Sequence, residues 1–133
     1  MITCVVEYVI DPAKIDAFER FGRRWMELVD SHGGMHHGYF LPSEGASDRA
    51  LALFSFPSLA AYEQYRALFG TDPDFIEADR IRDDSGCVLR YERTFMRPML
   101  PGDVAGFDSD KEFGAVSVGD VLPHAMTTRP LPP

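Results

Sequence analysis

The chain has 133 residues, 45% of them hydrophobic and 26% charged, with a net charge of −8. That length holds one domain with a real core, and the composition is ordinary for a globular protein. The negative charge speaks against nucleic acid and anionic membrane surfaces as partners, because phosphate backbones require a basic footprint.

Ile2 to Ile10 is rich in β-branched residues and reads as a strand. It is too short to cross a membrane and carries neither a basic leader nor a small-residue cleavage site, so a cytoplasmic address is expected. Cys4 and Cys87 are then expected to be reduced, packed thiols. Asp11-Pro12 supplies a helix N-cap followed by proline at the first helical position. Ile15, Phe18, Phe21, Trp25, Leu28 and Val29 recur at three- and four-residue steps, predicting an amphipathic helix with an aromatic inner face. Ser31-His32-Gly33-Gly34 ends it.

Met35 to Leu41 predicts a second strand, Pro42 to Asp48 a turn, and Arg49 to Phe56 a strongly apolar third strand. Ser58 caps a helix from Leu59 to about Phe69. Asp72-Pro73 repeats the cap-plus-proline device for a short helix through Asp79. Asp83 to Gly86 reads as a turn, and Cys87 to Met96 as the last strand.

The order β-α-β-β-α-β predicts an α+β, ferredoxin-like domain over residues 1–98, with four antiparallel strands and the helices on one face. The other face then needs a cover, since large bare apolar patches are rare on monomers. We expect a second copy to supply it, giving a homodimeric α+β barrel. On the first strand Cys4, Val6, Tyr8 and Ile10 form the more apolar face; on the last strand Leu89, Tyr91 and Phe95 do. A register pairing Glu7 with Arg90 and placing Thr3 near Thr94 matches charge and polarity across the pair. Residues 99–133 shift to Pro, Gly, Asp and Ser and read as an irregular C-terminal arm, with an apolar patch at Val116, Val118, Val121 and Leu122.

From Met1 to about Leu100 the chain resembles the NIPSNAP family. The matching residues are Tyr8-Val9-Ile10-Asp11-Pro12, Gly38-Tyr39-Phe40 with Ser43-Glu44-Gly45, Phe56-Pro57-Ser58-Leu59, Asp72-Pro73-Asp74-Phe75 and Arg97-Pro98. The resemblance implies the dimeric α+β barrel fold and kinship with small cofactor-free monooxygenases, haem-degrading enzymes and dehydratase-like proteins. The chain departs from the family at Val6, where many relatives carry an arginine, so no ligand role transfers to that position.

The chemistry-bearing residues cluster at His36-His37 and Tyr39. In a regular strand the two histidines point to opposite faces and cannot share one metal, and with His32 they lack ligand spacing. No metal or cofactor is therefore expected. One of the two could serve as a general base, with Tyr39 donating a hydrogen bond to a ligand oxygen. Glu7 and Arg90 are candidates to bind a polar group inside the barrel. The expected function is binding of a small, partly apolar organic ligand between sheet and helices. Any turnover would be cofactor-independent proton transfer or oxygenation. A non-catalytic binding or scaffold module is the competing reading.

Overall fold

The computed structural model describes residues 1–101 and 128–130. Strands β1 (Ile2–Ile10), β2 (Met35–Phe40), β3 (Arg49–Phe56) and β4 (Val88–Met96) alternate with helices α1 (Ile15–Ser31), α2 (Leu59–Arg66) and α3 (Pro73–Ser85). The four strands pair antiparallel in the order β2-β3-β1-β4, which is the expected α+β, ferredoxin-like arrangement. A short β5 (Thr128–Pro130) pairs with the outer edge of β4, so part of the arm is a strand rather than irregular chain. The apolar patch at Val116 to Leu122 lies outside the described residues.

The caps act as their chemistry dictates. Asp11 accepts from the Ala13 N–H at 3.0 Å, Ser58 from Ala61 at 3.1 Å, and Asp72 from Asp74 at 2.9 Å. Each oxygen satisfies one orphan donor of a first turn. α3 runs six residues beyond the predicted Asp79, and Asp83-Asp84-Ser85 is its last turn rather than a loop. Two contacts hold that turn helical. The Ser85 hydroxyl donates to the Ile81 carbonyl at 2.7 Å, and Lys14 Nζ, distant in sequence, donates to the Ser85 carbonyl at 2.6 Å. α2 stops earlier than expected, at Arg66.

One sheet face packs against the helices. Cys4, Val6, Tyr8 and Ile10 from β1 meet Ala50, Ala52, Phe54 and Phe56 from β3, all buried. α1 closes over them with Phe18, Phe21, Trp25, Leu28 and Val29. Edge-to-face rings lock the helices to one another: Trp25 of α1 lies 5.5 Å from Phe75 of α3, and Tyr65 of α2 also 5.5 Å from Phe75. Burial pushes the Cys4 thiol up to about 12, so it packs as a neutral side chain.

Gly34, where α1 hands over to β2, is buried and has no room for a side chain. A Cβ there would sit 2.7 Å from Val29 Cγ1 and 2.8 Å from the Phe56 ring. Gly34→Ala is expected to lower stability by about 2 kcal/mol through overpacking, read as a lower urea midpoint with an unchanged slope.

The expected register of the outer pair is corrected. Glu7 lies opposite Glu92, Arg90 opposite Val9, and Thr3 opposite Met96, a slip of two residues. A slip of two preserves the faces, so side-chain alternation could not detect it. A bulge between Val9 and Ile10 then brings Val88 opposite Ile10 and leaves Leu89 54% exposed, so Leu89 is not part of the inner face.

Candidate functional site

The second strand is irregular, and that irregularity builds the site. His36 pairs with Phe54, Gly38 with Leu53 and Tyr39 with Ala52, so His37 is the extra residue of a bulge. The backbone N–H of His36 donates to Asp30 Oδ1 at 2.9 Å, and Gly38 takes a φ of 115°, open to glycine alone. His36 and Tyr39, three residues apart, consequently share the helix-side face. Their rings stack at 5.0 Å and 10°, and Phe54 also stacks on His36 at 5.4 Å. Gly22 of α1 leaves space for the Tyr39 ring, which a Cβ would approach to 3.2 Å.

His37 goes the other way. Its Nε2 lies 2.8 Å from Ser55 Oγ, which in turn lies 2.7 Å from Thr3 Oγ1, on the face away from the helices. Glu7 and Arg90 lie on that same open face and line a groove of about 780 Å³ with Phe40, Arg49, Leu51 and Glu92. Glu7 and Arg90 form no ion pair with each other among the described residues. The five sequence candidates are thus split: His36 and Tyr39 on one side of the sheet, His37, Glu7 and Arg90 on the other.

Between the sheet and the helices, beside His36 and Tyr39, is a cavity of about 190 Å³. Phe21, Trp25 and Val29 line it from α1, Val6 and Tyr8 from β1, Phe54 from β3, and Tyr91 and Arg93 from β4. Asp79 and Arg82 of α3 border it as an ion pair at 3.8 Å, each side chain 28% exposed. Burial raises the Asp79 carboxyl above its ordinary range, against the pull of Arg82.

Arg93, opposite Val6, is the residue that the sequence reading missed. Its guanidinium donates to the Tyr62 hydroxyl and lies 5.9 Å from the centres of both the Tyr62 and Phe69 rings. Its Nε is buried with no hydrogen-bond partner, and so is Trp25 Nε1. Arg90 is separated from His36 by the sheet and shares the open face with His37. The inner-face arginine is three residues further on.

His36 has a defined state. The Gly38 N–H donates to its Nδ1 at 2.9 Å, so the proton of the neutral ring sits on Nε2. Burial, with a smaller push from His37, lowers its pKa to about 4. At neutral pH it offers an N–H donor, not a base. Tyr8 and Tyr39 are both pushed up by burial, so their hydroxyls stay protonated. The wall is therefore aromatic, with donors at its polar points.

The profile of the NIPSNAP family matches residues 5–100. Among solved structures, a NIPSNAP family protein with unknown function from Agrobacterium tumefaciens is 23% identical, with 74% of this chain and 87% of that one covered and a TM-score of 0.62. A NIPSNAP-like domain protein from Burkholderia xenovorans is 20% identical, covering 74% and 84% of the two chains with a TM-score of 0.61. An antibiotic-biosynthesis-monooxygenase-like protein from Nitrosomonas europaea shares the fold at 12% identity, covering 75% and 100%, with a TM-score of 0.60. None of the curated proteins matches the sequence. Among the described residues no helix is long and apolar enough to cross a membrane. With the profile spanning most of the chain, and solved NIPSNAP structures sharing its sheet and helices, this protein belongs to the NIPSNAP family.

Proposed function

We propose that the protein is a homodimeric α+β barrel that holds a small, partly apolar organic ligand in the cavity between its sheet and helices. The observation that carries this reading is the cavity itself. About 190 Å³ of space is walled by aromatic rings, and polar side chains from three strands and three helices line it. Native cores leave few voids of that size, and apolar walls with a few placed polar groups are the mark of ligand sites.

The same geometry assigns roles. His36 presents Nε2–H to polarise a ligand oxygen, in place of the base role expected from its sequence. Tyr39 fixes the His36 ring by stacking and joins Tyr8 in the wall. Any turnover is of a kind in which the protein orients the substrate and stabilises charge developing on its oxygen, consistent with cofactor-independent oxygenation or proton transfer.

The open face supports self-association. Phe40 and Met96 are 52% and 51% exposed there, beside half-buried Val5, Val9, Leu51 and Leu53. Glu7 faces Glu92 within the protomer, a repulsive pair, while Arg49 and Arg90 flank Val9 one row away. A twofold contact can lay the arginine row of one copy over the glutamate row of the other.

Ligand occupancy is tested by native mass spectrometry of the purified full chain and by thermal shift against single-ring compounds. A ligand at ten times its Kd is expected to add about 1.4 kcal/mol. Val6→Phe, which fills the cavity, is expected to remove that shift. If no small molecule co-purifies and no compound raises the melting temperature, the reading fails.

A further inference from the structure

Resting on the cavity reading above, we infer that the site takes its ligand as an anion: a single aromatic ring bearing a deprotonated oxygen, held by Arg93 and Trp25. Two independent features specify the oxygen. Trp25 is only 8% exposed and lines the cavity, yet its Nε1–H has no acceptor; Arg93 lines it too, and its buried Nε has none either. A buried donor left unpaired costs about 1–3 kcal/mol, and native structures rarely carry two at one place without a reason. An acceptor brought by a ligand satisfies both. His36 Nε2–H adds a third donor to the same wall.

The charge follows from the ionisable groups facing the cavity. Arg93 has no carboxylate partner among the described residues; its cation is met by two rings and the Tyr62 hydroxyl. Asp79 pairs with Arg82 at 3.8 Å, and Arg82 is held more closely, at 3.0 Å, by Asp83, which does not line the cavity. Tyr8, Tyr39 and Tyr65 are held protonated by burial. With His36 neutral, Arg93 is the lining charge without a carboxylate partner, and it favours an anion beside it.

Size and shape set the remainder. A dry cavity of about 150 Å³ accepts benzene, so about 190 Å³ fits one substituted ring. Tyr8, Phe54, Tyr65 and Phe69 surround that space with ring faces and edges, which suits a planar guest.

Phenolates and aromatic carboxylates share this chemistry, and four probes separate them: 4-nitrophenol against nitrobenzene, and benzoate against benzamide. Binding is measured by calorimetry on the full-length protein. The ionisation of 4-nitrophenol is read from its phenolate absorbance below its solution pKa. At least one anion is expected to bind about tenfold more tightly than its neutral isostere, the worth of one charged hydrogen bond. The pair that shows the preference identifies the oxygen acid. If 4-nitrophenol binds, its absorbance is expected to shift toward phenolate. Arg93→Met is expected to remove the preference and Arg93→Lys to keep it in part; Trp25→Phe, which keeps a ring and loses the N–H, should weaken anion binding several-fold. Circular dichroism establishes that each variant is folded. Equal affinity for both members of both pairs in the unaltered protein overturns the anion assignment and leaves the cavity reading standing. Failure of all four probes to bind also overturns the anion assignment, and the cavity reading is then decided by the native mass spectrometry and thermal shift above.

Discussion

Leu53→Asp is expected to convert the protein from a dimer to a monomer at micromolar concentration, read by light scattering on a sizing column. Leu53 lies at the middle of the open face, between Val5 and the bulged β2 at Gly38. It is half-buried in the protomer, so folding does not already seal it off from a partner. In a twofold contact a single substitution enters the interface twice. Each buried, unpaired carboxylate carries a desolvation penalty of several kcal/mol, enough to dissolve a contact built from side chains of this size. Phe40→Asp is the companion variant: Phe40 is 52% exposed in the protomer, so folding does not depend on its burial. If both variants fold and both remain dimeric, the open face is not where copies meet.

The cavity does not depend on that outcome. Its walls come from the strands and helices of one chain, so a monomeric variant should still bind a single-ring probe. The open face and the cavity lie on opposite sides of the same sheet, which lets the proposed self-association and the proposed ligand binding each be tested without disturbing the other.

What could be read from the sequence divides along the same physical line. Signals within one turn of chain were legible: the Asp11, Ser58 and Asp72 caps, and the apolar stripe from Phe18 to Val29. Strand order followed from their sequence, because β-α-β-β-α-β has few compact solutions. The site was only half legible. His36 and Tyr39 were singled out, but regular alternation puts them on opposite faces, and only the bulge at His37 unites them. The signal was a glycine inside a strand, but the acceptor that receives the His36 N–H, Asp30, comes from the end of α1. Arg93 was invisible for a related reason. Alternation puts it on the face of Tyr91 and Phe95, but its role comes from chain distant in sequence, the Tyr62 and Phe69 rings that lie over it opposite Val6. Charge matching chose the wrong register because the Glu7–Glu92 repulsion is outweighed by packing on the other face, where Cys4 meets Phe95 and Tyr8 meets Tyr91.

That bulge carries the strongest pH prediction. An ordinary histidine titrates near 6.5, while His36 in the folded chain does so at about 4. The unfolded chain therefore takes up the proton first, and between those values it binds more protons than the folded one. Stability is complete above pH 6.5 and falls as pH drops toward 4, by about 3 kcal/mol if the whole difference is realised. The local cause is specific. Protonating Nδ1 removes the acceptor of the Gly38 N–H, the bond that holds the turn of β2 at which Tyr39 enters the cavity wall. Urea unfolding at pH 7 and pH 4.5, for the unaltered protein and for His36→Gln, isolates the effect, because carboxylate titration is common to both. The unaltered protein is expected to lose about 2 kcal/mol more than the variant across that interval. His37→Gln serves as the comparison: burial also lowers the His37 pKa, but Asp30 opposes it and the ring is exposed, so a smaller difference is expected. Identical losses in the unaltered protein and His36→Gln mean that His36 is not held neutral by its site, and the donor role of its Nε2–H in the cavity falls with it.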